Sequence, residues 1–154
     1  MLEIKNLNKI YDKEIHTLKN INLKVEDGQF TCIVGASGSG KSTILKLIAG
    51  LEEITSGEIL LDGKPIQGPS PERMVMFQEA ALFPWLSVIE NVKFGMDIAG
   101  MSKAEQEKKA MYYLKMVHLE KYKDFPIHQL SGGMKQRVAF ARALTLDIKM
   151  LLMD

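Results

Sequence analysis

Residues 35–43, Gly35-Ala36-Ser37-Gly38-Ser39-Gly40-Lys41-Ser42-Thr43, constrain this chain more than any other stretch. They follow a short apolar run, Phe30-Thr31-Cys32-Ile33-Val34, and lead into residues 41–49, where apolar side chains recur at helical spacing and Gly50 stands where a helix would end. Strand, glycine-rich loop and helix in that order make a parallel βα unit, which points to an α/β fold. The loop matches G-x-x-x-x-G-K-[ST]: glycines let the backbone turn tightly so that successive N–H groups face an anion, and the positive end of the following helix adds to the attraction. In that arrangement Lys41 pairs with phosphate oxygens and Ser42 ligates Mg²⁺, while Gly35, Ser37, Gly38, Gly40 and Thr43 complete the cradle. Chance would produce such a match in a chain of this length on the order of 0.5% of the time, before its correct placement between strand and helix is considered.

Composition narrows the setting. The 154 residues are 46% hydrophobic and 25% charged, which suits an ordinary globular domain. Lys and Arg number 20 against 19 Asp and Glu and are interspersed with them, so no basic stripe suits a nucleic-acid backbone. The longest apolar runs fall far short of the roughly 20 residues that cross a bilayer, and residues 1–5 lack the apolar core of a signal peptide, so a cytoplasmic location is expected. Cys32, within the apolar run, reads as a small buried hydrophobe, and the three histidines show no metal-ligand spacing.

The remaining pattern is consistent with one α/β core interrupted by helices. Alternating stretches around residues 2–7 and 21–25, and a β stretch at residues 58–61 turning at Asp62-Gly63, predict a small β layer. Residues 73–77 predict another short strand. From residue 87 to about 119 the period is helical, and Ser102 with Glu105 forms a capping box. A further helical stretch runs from about residue 132 to 146, and residues 149–153 form a short apolar strand ending at Asp154.

Leu130-Ser131-Gly132-Gly133-Met134-Lys135-Gln136-Arg137 is a second glycine-rich entry to a helix, where the Ser131 hydroxyl and the Gly132 and Gly133 amides can approach an anion. Taken alone, an ordinary N-cap turn explains it with about even odds. Downstream of the phosphate loop, and just before an apolar run ending in Asp, it resembles the signature sequence of the ABC ATPases. The resemblance covers nearly the whole chain. It implies a P-loop NTPase core of ABC type with an antiparallel β layer and an inserted helical subdomain, with residues 1–79 and 131–154 as the nucleotide-binding core and residues 80–130 as the subdomain.

What the resemblance implies for function is specific. Met150-Leu151-Leu152-Met153-Asp154 looks like a Walker B strand whose Asp154 holds Mg²⁺. Gln78 matches the Q-loop glutamine near the metal and the attacking water, and Tyr11 matches the aromatic that stacks on adenine. Ser131, Gly132, Gly133 and Gln136 would contact the ATP held by a second copy, so that two ATPase subunits close on MgATP and drive membrane permease subunits from the inner face of the plasma membrane. The stretch Phe77-Gln78-Glu79-Ala80-Ala81-Leu82-Phe83-Pro84-Trp85-Leu86-Ser87-Val88 looks like that of importers for nitrate, sulfonates and taurine. Phe83, Pro84 and Trp85 also fit a local hydrophobic cluster under the helices.

The pattern departs at its end. Family members carry a glutamate general base directly after the Walker B aspartate, then further strands, and here Asp154 closes the sequence. The expectation is a C-terminally incomplete fragment or truncated product without turnover of its own. Two other functions stay open at this level: a non-catalytic nucleotide-binding fragment, and a soluble ABC protein of DNA repair or translation. A coiled-coil insertion or tandem cassette would support the latter, and the sequence has neither.

Overall fold

The computed structural model describes residues 1–11 and 15–154. They group into two compact units, Met1–Pro71 with Asp154, and Glu72–Met153.

The first unit carries an antiparallel sheet of order β2-β1-β3-β4, formed by β1 (Leu2–Tyr11), β2 (Ile15–Val25), β3 (Ser56–Leu61) and β4 (Lys64–Pro65). Leu2 faces Val25 on one side and Leu61 on the other, and Ile4 faces Leu23 and Ile59. Leu2 and Ile4 are buried, as period-two alternation requires, but the next buried residue is Leu7 rather than Asn6. A register shift lies between them, with Asn6 in the left-handed region at φ 48°. The extra residue returns Leu7 to the buried face. Side-chain amides supply the missing ladder bonds: the Asn6 N–H donates to Asn22 Oδ1, and the Asn20 N–H donates to Asn8 Oδ1, each at 2.9 Å. Opposite the bulge stands Gly57, where a Cβ would lie 2.4 Å from the Asn6 carbonyl oxygen. The β3–β4 turn uses Asp62 and Gly63, both at positive φ.

Helix α1 (Lys41–Ala49) begins and ends on left-handed glycines, Gly40 and Gly50. Residues 30–34 depart from expectation, because they form no strand, and Phe30 and Val34 are 82% and 88% exposed. Cys32 is exposed too, contrary to its reading as a buried hydrophobe. A short apolar run reads alike whether or not it finds neighbours, whereas the bonds of a parallel strand are all non-local. Among the described residues neither sheet takes this segment as a strand.

In the second unit β5 (Arg73–Met76) and β6 (Met150–Met153) pair in parallel, Arg73 facing Met150 and Met76 facing Met153. Helices α2 (Val88–Ile98) and α3 (Lys103–Met116) both start with complete capping boxes, Ser87 with Glu90 and Ser102 with Glu105, which satisfy N–H groups that the first turn leaves open. Helix α4 (Gly132–Leu144) is capped by Ser131. The apolar faces meet in one cluster: Val88, Val92 and Met96 from α2, Ala110 and Leu114 from α3, and Val138 and Ala141 from α4. Full burial of each larger member contributes about 1.5–3 kcal/mol. Asn91 is fully buried in this unit: its Nδ2 donates to the carbonyls of Phe83 (3.1 Å), Leu86 (3.3 Å) and Ser87 (3.0 Å), while its Oδ1 accepts from the Phe83 N–H at 2.8 Å. It ties the loop ahead of α2 to the helix. Among the described residues no helix is long and apolar enough to cross a membrane.

Candidate functional site

In the first unit the residues expected to hold a polyphosphate come together around the start of α1. The loop from Gly35 to Gly40 is a tight turn closed by the Ser39 N–H donating to the Ala36 carbonyl at 3.2 Å, with Gly38 at φ 78° and Gly40 at φ 90°. Space is tight at two of the glycines, and of these Gly40 also has the positive φ. A Cβ on Gly35 would meet Ser39 Oγ at 2.8 Å, and one on Gly40 would meet the Leu18 side chain at 2.7 Å. Lys41 folds back, donating from Nζ to the Gly35 and Ala36 carbonyls at 2.9 and 2.7 Å, which holds an ammonium in the curve of the loop. Gly40, the N-cap of α1, offers no capping side chain, so the side-chain caps seen at the other three helices are missing where an anion would be placed. Ser37 is exposed on the loop.

Asp154 joins this group. The Ser42 hydroxyl donates to Asp154 Oδ1 at 2.7 Å, bringing a hydroxyl and a carboxylate side by side at the first turn of α1. Paired oxygen donors of this kind suit a hard divalent cation.

Tyr11 ends β1 within a polar cluster that sequence reasoning missed. Its hydroxyl donates to Glu52 Oε2. Lys9 lies over the ring, its Nζ 4.7 Å from the centroid, and also donates to the Glu53 carbonyl at 2.7 Å. Lys9 and Lys46 each stand 3.6 Å from Glu52. The hydrogen bond to the Glu52 carboxylate, with burial behind it, raises the Tyr11 phenol above its ordinary value, and hydrogen bonding with Thr43 pulls the other way. The Tyr11 hydroxyl, aided by the charges of Lys9 and Lys46, holds Glu52 below the usual carboxylate range. Nothing in the local sequence marks Glu52, which stands two residues past the Gly50 cap of α1 and meets Tyr11 only through the fold.

The second unit holds the rest of the expected residues. Ser131, Gly132 and Gly133 are exposed at the start of α4, where the Ser131 Oγ accepts from the Met134 N–H at 3.3 Å, and a Cβ on either glycine would meet nothing within 4 Å. The Gln136 side-chain amide, one turn along, donates to the backbone carbonyl of Gln78. Gln78 itself is exposed. Arg142, on the same helix, donates to the Ala81 carbonyl at 3.0 Å and lies 5.5 Å from the Phe83 ring centroid. Burial lowers its guanidinium from the ordinary value. Thus α4 carries both the glycine-rich entry and two anchors of the segment after β5.

Residues 18–154 match the sequence profile of the family described as ABC transporter. The nitrate import ATP-binding protein NrtD of Synechocystis sp. is 49% identical over 99% of this chain and 59% of its own length. The taurine import ATP-binding protein TauB of Pseudomonas putida is 46% identical over 100% of this chain and 59% of its own. The chain therefore spans about three fifths of the length of these curated relatives. Among solved structures, cbiO1 from Clostridium perfringens, part of the ABC transporter complex cbiONQ, superposes with a TM-score of 0.90 at 35% identity, covering 99% of this chain and 64% of that one. A dimeric, post-hydrolysis ATP-binding cassette bound to ADP and Pi gives 0.85 at 36% identity, over 100% and 73% of the two chains.

Proposed function

The chain belongs to the ABC transporter family, and from that premise we propose that it is the ATP-binding part of an importer subunit that closes on MgATP with a second copy and drives a membrane permease. The observation that carries this reading is the Ser42–Asp154 hydrogen bond beside a glycine-required loop that holds an ammonium.

In this reading the loop amides from Gly35 to Thr43, with Ser37, Gly38 and Gly40, receive the β- and γ-phosphates, and Lys41 turns from its loop carbonyls to phosphate oxygens. Ser42, Asp154 and Gln78 would hold Mg²⁺, whose chemistry is to neutralise charge on the phosphate oxygens. Gln78 also acts as the contact to the attacking water. Tyr11 stacks on adenine. Ser131, Gly132, Gly133 and Gln136 serve the nucleotide bound by the other copy, and the Gln136 bond to the Gln78 carbonyl gives α4 a grip on the segment that senses it. Residues 80–130 are the helical subdomain, set into a core of residues 1–79 and 131–154. The subunit works on the cytoplasmic face of the membrane.

The names of the relatives, a nitrate and a taurine import protein, favour a small anionic solute. Reconstitution of the complete subunit with its permease in vesicles tests the proposal. ATP-dependent uptake of nitrate, taurine or a related sulfonate is expected, and uptake that proceeds equally without ATP would contradict it.

A further inference from the structure

Adenine stacking needs a ring held still with one face free, and Tyr11 lies at the end of a strand, where side chains are least constrained. Three contacts hold it. The phenol is tied at its tip to Glu52, just past α1, and it also hydrogen-bonds with Thr43, in the first turn of the same helix. The ring face is covered by Lys9, whose ammonium is itself fixed by the Glu53 carbonyl at 2.7 Å and by Glu52 at 3.6 Å. Lys46 of α1 holds the other Glu52 oxygen at 3.6 Å.

We propose that Glu52 is a positioning residue for nucleotide-base recognition: it fixes the Tyr11 ring to the helix that carries the phosphate loop and holds Lys9 on one ring face, so that the base stacks on the other. The proposal rests on the reading of Tyr11 as the adenine-stacking residue. It has a direct physical consequence. Glu52 affects binding only through the base, so a polyphosphate without a base is indifferent to it. Lys9 also draws ring electron density toward its own side, which favours stacking of a π-system on the opposite face.

Calorimetric titrations of the chain with ATP and with inorganic tripolyphosphate test this. Glu52→Ala and Tyr11→Phe should each weaken ATP binding about 5- to 10-fold and leave tripolyphosphate within about twofold, since both remove the same partly exposed, charge-assisted hydrogen bond. Combined, they should lose no more than either alone. Glu52→Gln, which still accepts from the phenol, should keep most of the preference for ATP. Should Glu52→Ala not fold, Tyr11→Phe decides alone, because it removes only the hydroxyl, and unchanged ATP affinity overturns the proposal. Equal weakening of ATP and tripolyphosphate by Glu52→Ala also overturns it, as does additivity of the two changes. If Tyr11→Ala weakens ATP binding while Glu52→Ala does not, stacking stands and positioning falls. If Tyr11→Ala has no effect on ATP, the stacking reading itself fails and takes the proposal with it.

Discussion

The Ser42 hydroxyl donates a 2.7 Å hydrogen bond to the carboxylate of Asp154, although 112 positions separate them in the chain. A hydroxyl and a carboxylate so placed beside a glycine-rich loop are two oxygen donors of the kind a hard divalent cation takes.

Asp154→Asn tests the metal half of the account. The amide can still accept from Ser42 but brings no charge to Mg²⁺. ATP affinity measured with Mg²⁺ should fall about tenfold, and affinity measured with a chelator should stay the same. An unchanged difference between the two conditions would show that Asp154 does not serve the metal.

Asn91→Leu should destabilise the helical unit by about 2–3 kcal/mol, because the part-buried Phe83 N–H and the Leu86 carbonyl lose the amide as partner, while the Phe83 and Ser87 carbonyls keep only the backbone N–H groups of Leu86 and residue 91. Urea unfolding measures it. A loss below about 1 kcal/mol would mean that water replaces the amide.

Much of this was legible in advance, and the reason is local chemistry. Helix α1 from Lys41 to Ala49, its Gly50 stop, the Asp62-Gly63 turn and the Ser102–Glu105 box each depend on residues a few positions apart. The failures depend on what the fold places beside a residue. Strands β1 and β2 run longer than the short alternating stretches suggested, because asparagine side chains carry the ladder across bulges that interrupt the alternation. Residues 30–34 have the composition of a buried strand, yet composition does not supply the neighbours. Glu52 and Asn91 went unnoticed because a lone polar residue acquires meaning only from what the fold places beside it.

The capping boxes make acid stability sensitive to pH. The Ser87 side chain, then its backbone N–H, holds Glu90 below its ordinary 4.5, and Ser102 lowers Glu105 in the same way. For a depressed carboxylate the added stability is fully present above the unfolded value, near 4.5, and is lost as pH falls through the folded value. Ser87→Ala should therefore cost about 1 kcal/mol at neutral pH, with the gap to the parent narrowing below pH 4.5. Denaturation midpoints at neutral and acid pH would show this, and a gap independent of pH would contradict it.

Ser131→Arg should leave ATP binding by the isolated subunit unchanged while blocking ATP-dependent dimers of the complete protein. A bulky cation at the α4 N-cap would bar close approach to the Gly132 and Gly133 amides, which are open now. Light scattering on a hydrolysis-deficient form reads the outcome. Normal dimers with this change would mean that the glycine-rich entry does not serve the other copy.

The central claim, that the loop from Gly35 to Thr43 binds the phosphates of ATP, is tested most directly by titrating the chain and its Lys41→Ala variant with MgATP. The Lys41 ammonium, now held by the Gly35 and Ala36 carbonyls, is the main side-chain charge offered to the polyphosphate. Charge-assisted bonds are the strong ones, so affinity should drop about 100-fold or more. Equal affinity in the two proteins would contradict the account.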